Sequence, residues 1–276
     1  MMQRERVAES IYVFTSNRYL QVTAGVIVTS DGCVVIDTLP FPAESRELRA
    51  FARRVCRQGI RYVINTHYHA DHTYGNCFFA DVPLIGHELT RKLLEKVGDS
   101  ALREAQEENP ELGDVTIRVP DITYRGKATL RLANFTIELI EAPGNSPDGT
   151  MVYISEEKVL FAGDAMLPAP YVVGGDVEAL LHSLERMSQL GVESLVQGHG
   201  DVLLRGEVPE SIEASIAYLN RLREFITQAR ERDLSEKQLL AWDIEQAGLS
   251  RIPLSGMVQD LHRANLLALY SASAAS

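Results

Sequence analysis

The chain has 276 residues, 45% of them hydrophobic and 24% charged, with 27 Lys+Arg against 38 Asp+Glu and a formal net charge of −11. This is a globular composition, long enough for one large domain or two small ones, and no run approaches the ~18 apolar residues of a membrane-spanning helix. The acidic surplus argues against non-specific attraction to nucleic acid or anionic lipid. In chain order, residues 1–9 form an N-terminal extension that lacks the apolar stretch of a secretory leader. Runs 11–14, 22–29 and 33–37 are rich in β-branched residues, and Ser30-Asp31-Gly32 between the last two is a hairpin signal, so the chain opens with a β-meander. Pro42 starts an Arg- and Glu-rich segment to about Gln58 with Leu48, Phe51 and Val55 at helical spacing, and the apolar run 62–64 follows. Helical patterns recur at 88–96 and 101–108, with Asn109-Pro110 as a stop. Short strands are predicted at 122–125, 128–131, 136–141, 150–154 and 158–161, then a helix over 176–189 and a strand at 194–197. From Pro209 almost to Tyr270 the pattern is helical, with breaks near Asp233, Gly248 and Pro253.

Strands at the start of each half, each followed by helix, predict an α/β fold. Its architecture is a four-layer αββα sandwich of two mixed β-sheets with helices on the outer faces. No Pro/Gly/Ser-rich linker divides the chain, so residues 10–270 are expected to form a single domain with a helical C-terminal part (about 207–270), followed by a disordered tail at 271–276. Cys33, Cys56 and Cys77 form no C-x-x-C pair and are odd in number, so no disulfide framework is expected and the default is a cytoplasmic, thiol-reducing compartment. The amphipathic C-terminal helices suit either a homodimer seam or a cover over a sheet, and the sequence leaves oligomeric state open.

The histidines are unevenly spread. None precedes residue 63, and then His67, His69 and His72 fall together in Asn65-Thr66-His67-Tyr68-His69-Ala70-Asp71-His72, on the loop leaving the 62–64 strand. In extended chain His67 and His69 point the same way, and Asp71 and His72 turn toward an adjacent point. Imidazole and carboxylate are ligands for Zn²⁺, Fe²⁺ or Mn²⁺, and a loop at a strand end is a natural place to gather them.

With the downstream motifs, the chain resembles the metallo-β-lactamase superfamily. The pattern is an early Asp (Asp37 in Val35-Ile36-Asp37-Thr38), the H-x-H-x-D-H core, a P-G-H-like turn, a second Asp after a strand (Asp164 in Phe161-Ala162-Gly163-Asp164), and a late His (His199 in Gly198-His199-Gly200). In the turn Ala142-Pro143-Gly144-Asn145 the usual His is Asn145. The resemblance implies one metal position on His67, His69 and residue 145, a second on Asp71, His72 and His199, and Asp164 bridging. A neutral amide oxygen is a weak ligand for Zn²⁺, so one tightly held ion is expected on Asp71, His72, His199 and Asp164, with the other position weak or empty. Asp37 is expected to orient a ligand histidine or to cap a turn.

The implied chemistry is hydrolysis by a metal-held hydroxide, with Asp71 orienting water or accepting its proton and His67 or His69, if free of metal, acting as base or proton shuttle. With neither room for a flavin module nor a nucleic-acid clamp, the expected substrate is a small-molecule ester, thioester or lactone. A hydrolytic dehalogenase of activated chloroaromatics and a metal-binding protein without hydrolytic activity are the alternatives. Tyr68, Tyr74 and Tyr171 are candidate pocket residues, and the apolar loop 166–175 is a candidate pocket wall. Cys77 is expected to be a small buried group.

Overall fold

The computed structural model describes residues 2–272. The first sheet runs β1 (Gln3–Ala8), β2 (Ile11–Thr15), β3 (Thr23–Thr29), β4 (Gly32–Ile36), β5 (Ile60–Ile64), β6 (Leu84–His87) and β7 (Ile122–Tyr124), in that spatial order. Strands β1 to β4 pair antiparallel and β4 to β7 parallel. The second sheet holds β8 (Lys127–Leu132), β9 (Phe135–Glu141), β10 (Thr150–Ile154), β11 (Val159–Phe161), β12 (Ser194–Val196) and β13 (Val202–Leu204), in the reverse order β13 to β8, with β11 and β12 its one parallel pair.

Alternation along the strands builds three apolar layers. On β4, Val34 and Ile36 face the second sheet, where they meet Ile137, Leu139, Val152, Ile154, Val159 and Phe161. Their neighbours Cys33 and Val35 face outward onto Leu48, Phe51 and Ala52 of helix α1 (Pro42–Val55). With both faces covered, such strands read as continuous hydrophobic runs rather than as alternating ones. Gly25 marks the closest approach of the sheets, since a Cβ there would lie 2.3 Å from the Phe161 ring.

Short helix α2 (Ala70–Thr73) follows β5, and a helical run follows β6: α3 (Glu88–Leu93) and α4 (Asp99–Glu108), joined by a π-turn at Leu94–Gly98. The outer face of the second sheet, with Ile140, Met151, Leu160 and Leu195, is covered by α5 (Val177–Ser188), α6 (Glu207–Glu231) and α8 (Val258–Ala272). Short α7 (Glu236–Leu239) lies between α6 and α8, and the intervening chain turns through left-handed Asp233, Gly248 and Leu254. The result is an α/β fold of two mixed sheets between helical layers.

Several expectations need correction. The segment expected as an N-terminal extension forms β1, paired along β2; its sequence QRERVA is charged because one side of this edge strand faces solvent. Strands β6 and β13, of four and three residues, lie outside the predicted strands. Cys33 and Cys56 form a disulfide, Cα atoms 5.9 Å apart, and Cys77 is the free thiol. An odd count and wide spacing carry no information here, because the return from α1 brings its C-cap against β4. The pairing also removes the cysteine argument for a reducing compartment. Ser271 and Ala272 complete α8, and the remainder of the expected tail, 273–276, lies outside the described residues. No helix among the described residues is long and apolar enough to cross a membrane.

Candidate metal centre

The side chains singled out in the sequence leave the C-terminal ends of four central strands. Asp37 follows β4, the His67 to His72 segment follows β5, Asp164 follows β11 and His199 follows β12. In parallel arrangements these ends collect the loops of several strands at one place, which makes them natural sites. The loop after β5 is pinned by a reciprocal amide pair, Asn76 Nδ2 to Asn65 Oδ1 at 2.9 Å and Asn65 Nδ2 to Asn76 Oδ1 at 3.1 Å, and by the Thr38 amide donating to the His72 carbonyl at 3.0 Å. The second half docks through Thr23, whose amide donates to the Gly198 carbonyl and whose hydroxyl donates to the Gln197 carbonyl at 2.6 Å. Gly198 is obligatory at this seam, because a Cβ would sit 2.0 Å from Asp164 Oδ1.

Hydrogen bonding fixes the tautomer of three imidazoles. His199 Nδ1 lies 2.9 Å from the Leu20 carbonyl, which only accepts, so Nδ1 carries the proton. His72 Nδ1 lies 2.9 Å from Asp37 Oδ2 and donates to that carboxylate. The Thr66 hydroxyl gives its proton to Asp37 Oδ2 at 2.7 Å, so at 3.0 Å it must accept from His67 Nδ1. In each neutral ring the Nε2 lone pair is thereby left bare. These atoms face carboxylates: His67 to Asp164 at 3.5 Å, His72 to Asp164 at 3.3 Å and Asp71 at 3.7 Å, His199 to Asp71 at 3.0 Å and Asp164 at 3.6 Å. His67 Nε2, His72 Nε2 and Asp164 Oδ1 are buried without a hydrogen-bond partner.

Lone pairs facing carboxylates repel unless a cation lies between them. Two groups, His67/His72/Asp164 and Asp71/His72/His199, each bring their ligand atoms within 4.8 Å of one another and can hold a divalent metal. With no ion the charge must be balanced by protons. Burial lowers the His72 imidazolium, but Asp71, Asp164 and Asp37 overcome it and hold it well above its ordinary value; His199 is raised against burial by Asp164 and Asp71. Burial, then the neighbouring His72, keep His67 low. Asp71 and Asp164 are raised by burial, yet His72 and His199 around the first and His67, His199 and His72 around the second draw both well below the carboxylate range. Asp37 adopts a left-handed backbone (φ 55°) and is 3% exposed, strain that places its two oxygens on Thr66 and His72.

The remaining candidates are more dispersed. His69 Nδ1 is 4.0 Å from Asp164 Oδ2 and its side chain is 30% exposed. The buried Asn145 amide donates through Nδ2 to the Tyr171 carbonyl at 3.1 Å, which leaves its Oδ1 buried and unpaired; Asn145, His67 and Asp164 line one small internal void. Tyr68 packs edge-on against His69. The Tyr74 ring is buried with Phe41, Leu102, Leu112 and Val115, and its phenol is pushed up by burial and by Asp71. In the 166–175 loop, Met166, Leu167, Ala169 and Val172 are buried, Met166, Ala169 and Val172 of them in the helical cover. His262 is buried and bonded to the Tyr218 hydroxyl and the Trp242 carbonyl.

Tyr19 escaped notice in the sequence. It precedes Leu20, whose carbonyl holds His199, in a loop where Leu20 and Gln21 both have left-handed φ. Burial, then the carboxylates of Asp71 and Asp164, push its phenol up, although 42% of the residue is exposed. Nothing local in Asn17-Arg18-Tyr19-Leu20 signals this; only the fold brings it to the cluster.

A sequence model of the metallo-beta-lactamase superfamily matches residues 17–199, more than half of the chain. A lactamase-like protein nscB of Arthroderma gypseum is 32% identical over 182 residues, covering 63% of this chain and 50% of that protein. A hydroxyacylglutathione hydrolase of Brucella ovis is 28% identical over 143 residues, 51% of this chain and 48% of its own length. The chain thus spans about half the length of these curated relatives. Among solved structures, a metallo-beta-lactamase from Pontibacter korlensis superposes with a TM-score of 0.62 at 19% identity, over 77% of this chain and 98% of that one.

Proposed function

The chain belongs to the metallo-β-lactamase superfamily, and from that premise we propose that it is a zinc-dependent hydrolase of a small-molecule ester, thioester or lactone. The observation that carries the reading is the set of three buried imidazoles whose protonated Nδ1 atoms are all engaged, so that bare Nε2 atoms converge on Asp71 and Asp164. Asp71, His72, His199 and Asp164 would hold one ion tightly. His67, His69 and Asn145 offer a weaker second position, since the Asn145 oxygen is neutral. When bound in the tight position, an ion would supply Lewis acidity and lower the pKa of a water toward about 7.

The chain's own groups then do the following. Asp71, kept ionised by His72 and His199, orients a water and accepts its proton at a carboxylate oxygen. His69, partly exposed, passes a proton to solvent. Asp37 and the Leu20 carbonyl hold the ligand tautomers, Tyr68 packs edge-on against His69, and Tyr19 feels the carboxylates of Asp71 and Asp164. The match to a hydroxyacylglutathione hydrolase supports the acyl-transfer class.

The test is metal content of the purified protein by mass spectrometry, followed by turnover of generic esters, thioesters and lactones with and without chelator. About one transition-metal ion per chain and chelator-sensitive turnover abolished by Asp71→Ala are expected. Protein free of transition metal, with Asp71→Ala changing nothing, overturns the enzyme reading. Two tightly bound ions per chain overturn the assignment of Asn145 as a weak ligand.

A further inference from the structure

Beside the metal cluster lies a cavity of about 780 Å³ that none of the proposed ligands lines. Its walls are the 166–168 turn, residues 200–203, the inward side of α6 near Ala214, and the 249–255 segment. The volume falls within the ~300–1,000 Å³ usual for small-ligand sites. Two further features point to an occupant. Ile252 at the cavity edge is 78% exposed, the most exposed of the large apolar side chains among the described residues. Next to it Leu254, Ser255 and Gly256 are successively left-handed (φ 52°, 55° and 90°), and this turn seats Leu254, 5% exposed, in the wall. Non-glycine residues held in that region are strained, and such strain clusters where ligands are clamped.

The lining also has a charge character. It contains two carboxylates, Asp201 and Glu207, and no Lys, Arg or His, while its remaining polar groups are Ser and Gln. Glu5 next to Asp201 adds to the negative field, its carboxyl pushed up by burial and by Asp201. An anionic head would meet like charge, whereas a neutral or cationic one would not.

We propose that this cavity is a second ligand site, separate from the metal cluster, for a small molecule with an apolar body and a neutral or cationic head. Two of its walls continue directly from residues of the cluster. Gly200 follows His199, and Gln21 follows Leu20, with the Gly200 amide donating to the Gln21 carbonyl at 3.0 Å. An occupant therefore rests on the same two chain segments that orient the His199 ring.

The experiment is saturation binding of the neutral dye Nile red to the full protein as purified, with displacement by decan-1-ol, decylammonium and decanoate at pH 7. One saturable site is expected, emptied by the alcohol and the ammonium at concentrations at least about tenfold below those needed for decanoate. Ala214→Phe, which fills the cavity, should weaken dye binding at least about tenfold, and Ile252→Ser, at an exposed position that leaves the core intact, about threefold. Binding should survive chelation, since no metal-cluster residue lines the cavity. Absence of saturable binding, equal displacement by decanoate, or indifference to both substitutions overturns the proposal. So does loss of binding on chelation while the circular dichroism is unchanged.

Discussion

Replacing Asp37 by Asn removes one charge and almost no volume, yet it should act on two candidate metal ligands at once. Asp37 accepts from the Thr66 amide at 2.8 Å through Oδ1, and from the Thr66 hydroxyl at 2.7 Å and His72 Nδ1 at 2.9 Å through Oδ2. If the new carboxamide keeps its oxygen on the Thr66 amide, its NH₂ faces His72 Nδ1, which then must accept. The His72 proton moves to Nε2, into the space facing Asp71 and Asp164. Thr66 loses its acceptor too, so its hydroxyl proton turns to His67 Nδ1 and reverses that tautomer as well. A substitution behind one metal ligand costs about 10–100-fold in affinity, so the reversed His72 alone should weaken the tight position by about tenfold or more (~1.4 kcal/mol), while the reversed His67 weakens the second, weaker position. Thr66→Val breaks only the relay to His67, so it should loosen the weak position and leave the affinity of the tight one within about threefold of the parent. The assay is competition for Zn²⁺ against a chromophoric chelator at fixed pH, with circular dichroism as a fold control. An affinity for Asp37→Asn within twofold of the parent, in folded protein, would refute the tautomer reasoning.

Other consequences can be checked separately. In metal-free protein the raised His72 and His199 contribute stability that is full below their unfolded value of ~6.5 and is lost as pH rises through their folded values. The lowered His67 works the other way, losing stability as pH falls below ~6.5. Urea unfolding of chelated protein should therefore be most difficult near pH ~6.5, and a stability that climbs steadily to pH 9 contradicts the assignment. Asn145→His should raise tightly bound metal from about one ion per chain toward two by mass spectrometry after dialysis, since imidazole replaces a weak neutral oxygen. Buried Asn265 bonds the Val172 amide (2.9 Å), the Pro170 carbonyl (2.7 Å) and the Tyr218 hydroxyl (3.1 Å). Asn265→Ala strands several of these groups, with an expected cost of about 3 kcal/mol, and a thermal midpoint that does not move would show the network to be dispensable.

The part of the site legible in the sequence is the part compressed into a few residues. His67, His69, Asp71 and His72 share one loop, and the period of two along extended chain already aligns some of them. Asp37, Asp164 and His199 were legible as residues leaving predicted strands, because strand ends are where such loops gather. The partners that aim them at one point were not. The acceptor for His199 is a backbone carbonyl 179 residues away, and a carbonyl has no identity in a sequence. Thr66, within the motif itself, was silent because its part depends on which way one hydroxyl proton points. The Cys33–Cys56 bond and Tyr19 depend likewise on chain returns that no local pattern encodes.

The docking of the two sheets also sets an order of assembly. The loop after β5 and Asp37 belong to the first sheet, whereas Asp164 and His199 arrive with the second, and the two meet at the isolated bridge between Val22 and His199. A nascent first half can present His67, His69, Asp71 and His72, but neither carboxylate nor imidazole from beyond residue 141 is yet in place. Tight metal capture then becomes a late event that registers completed docking, so in refolding the uptake of a metal indicator should trail the closure of the sandwich. An uptake that precedes it would mean the first half alone makes the high-affinity site. On the proposed ligand set a bound ion would tie residues 71–72 of the first half to Asp164 and His199 of the second, and the chain's lifetime against proteolysis would become a function of free metal, about 2.7 kcal/mol of added protection at a hundredfold excess over the dissociation constant.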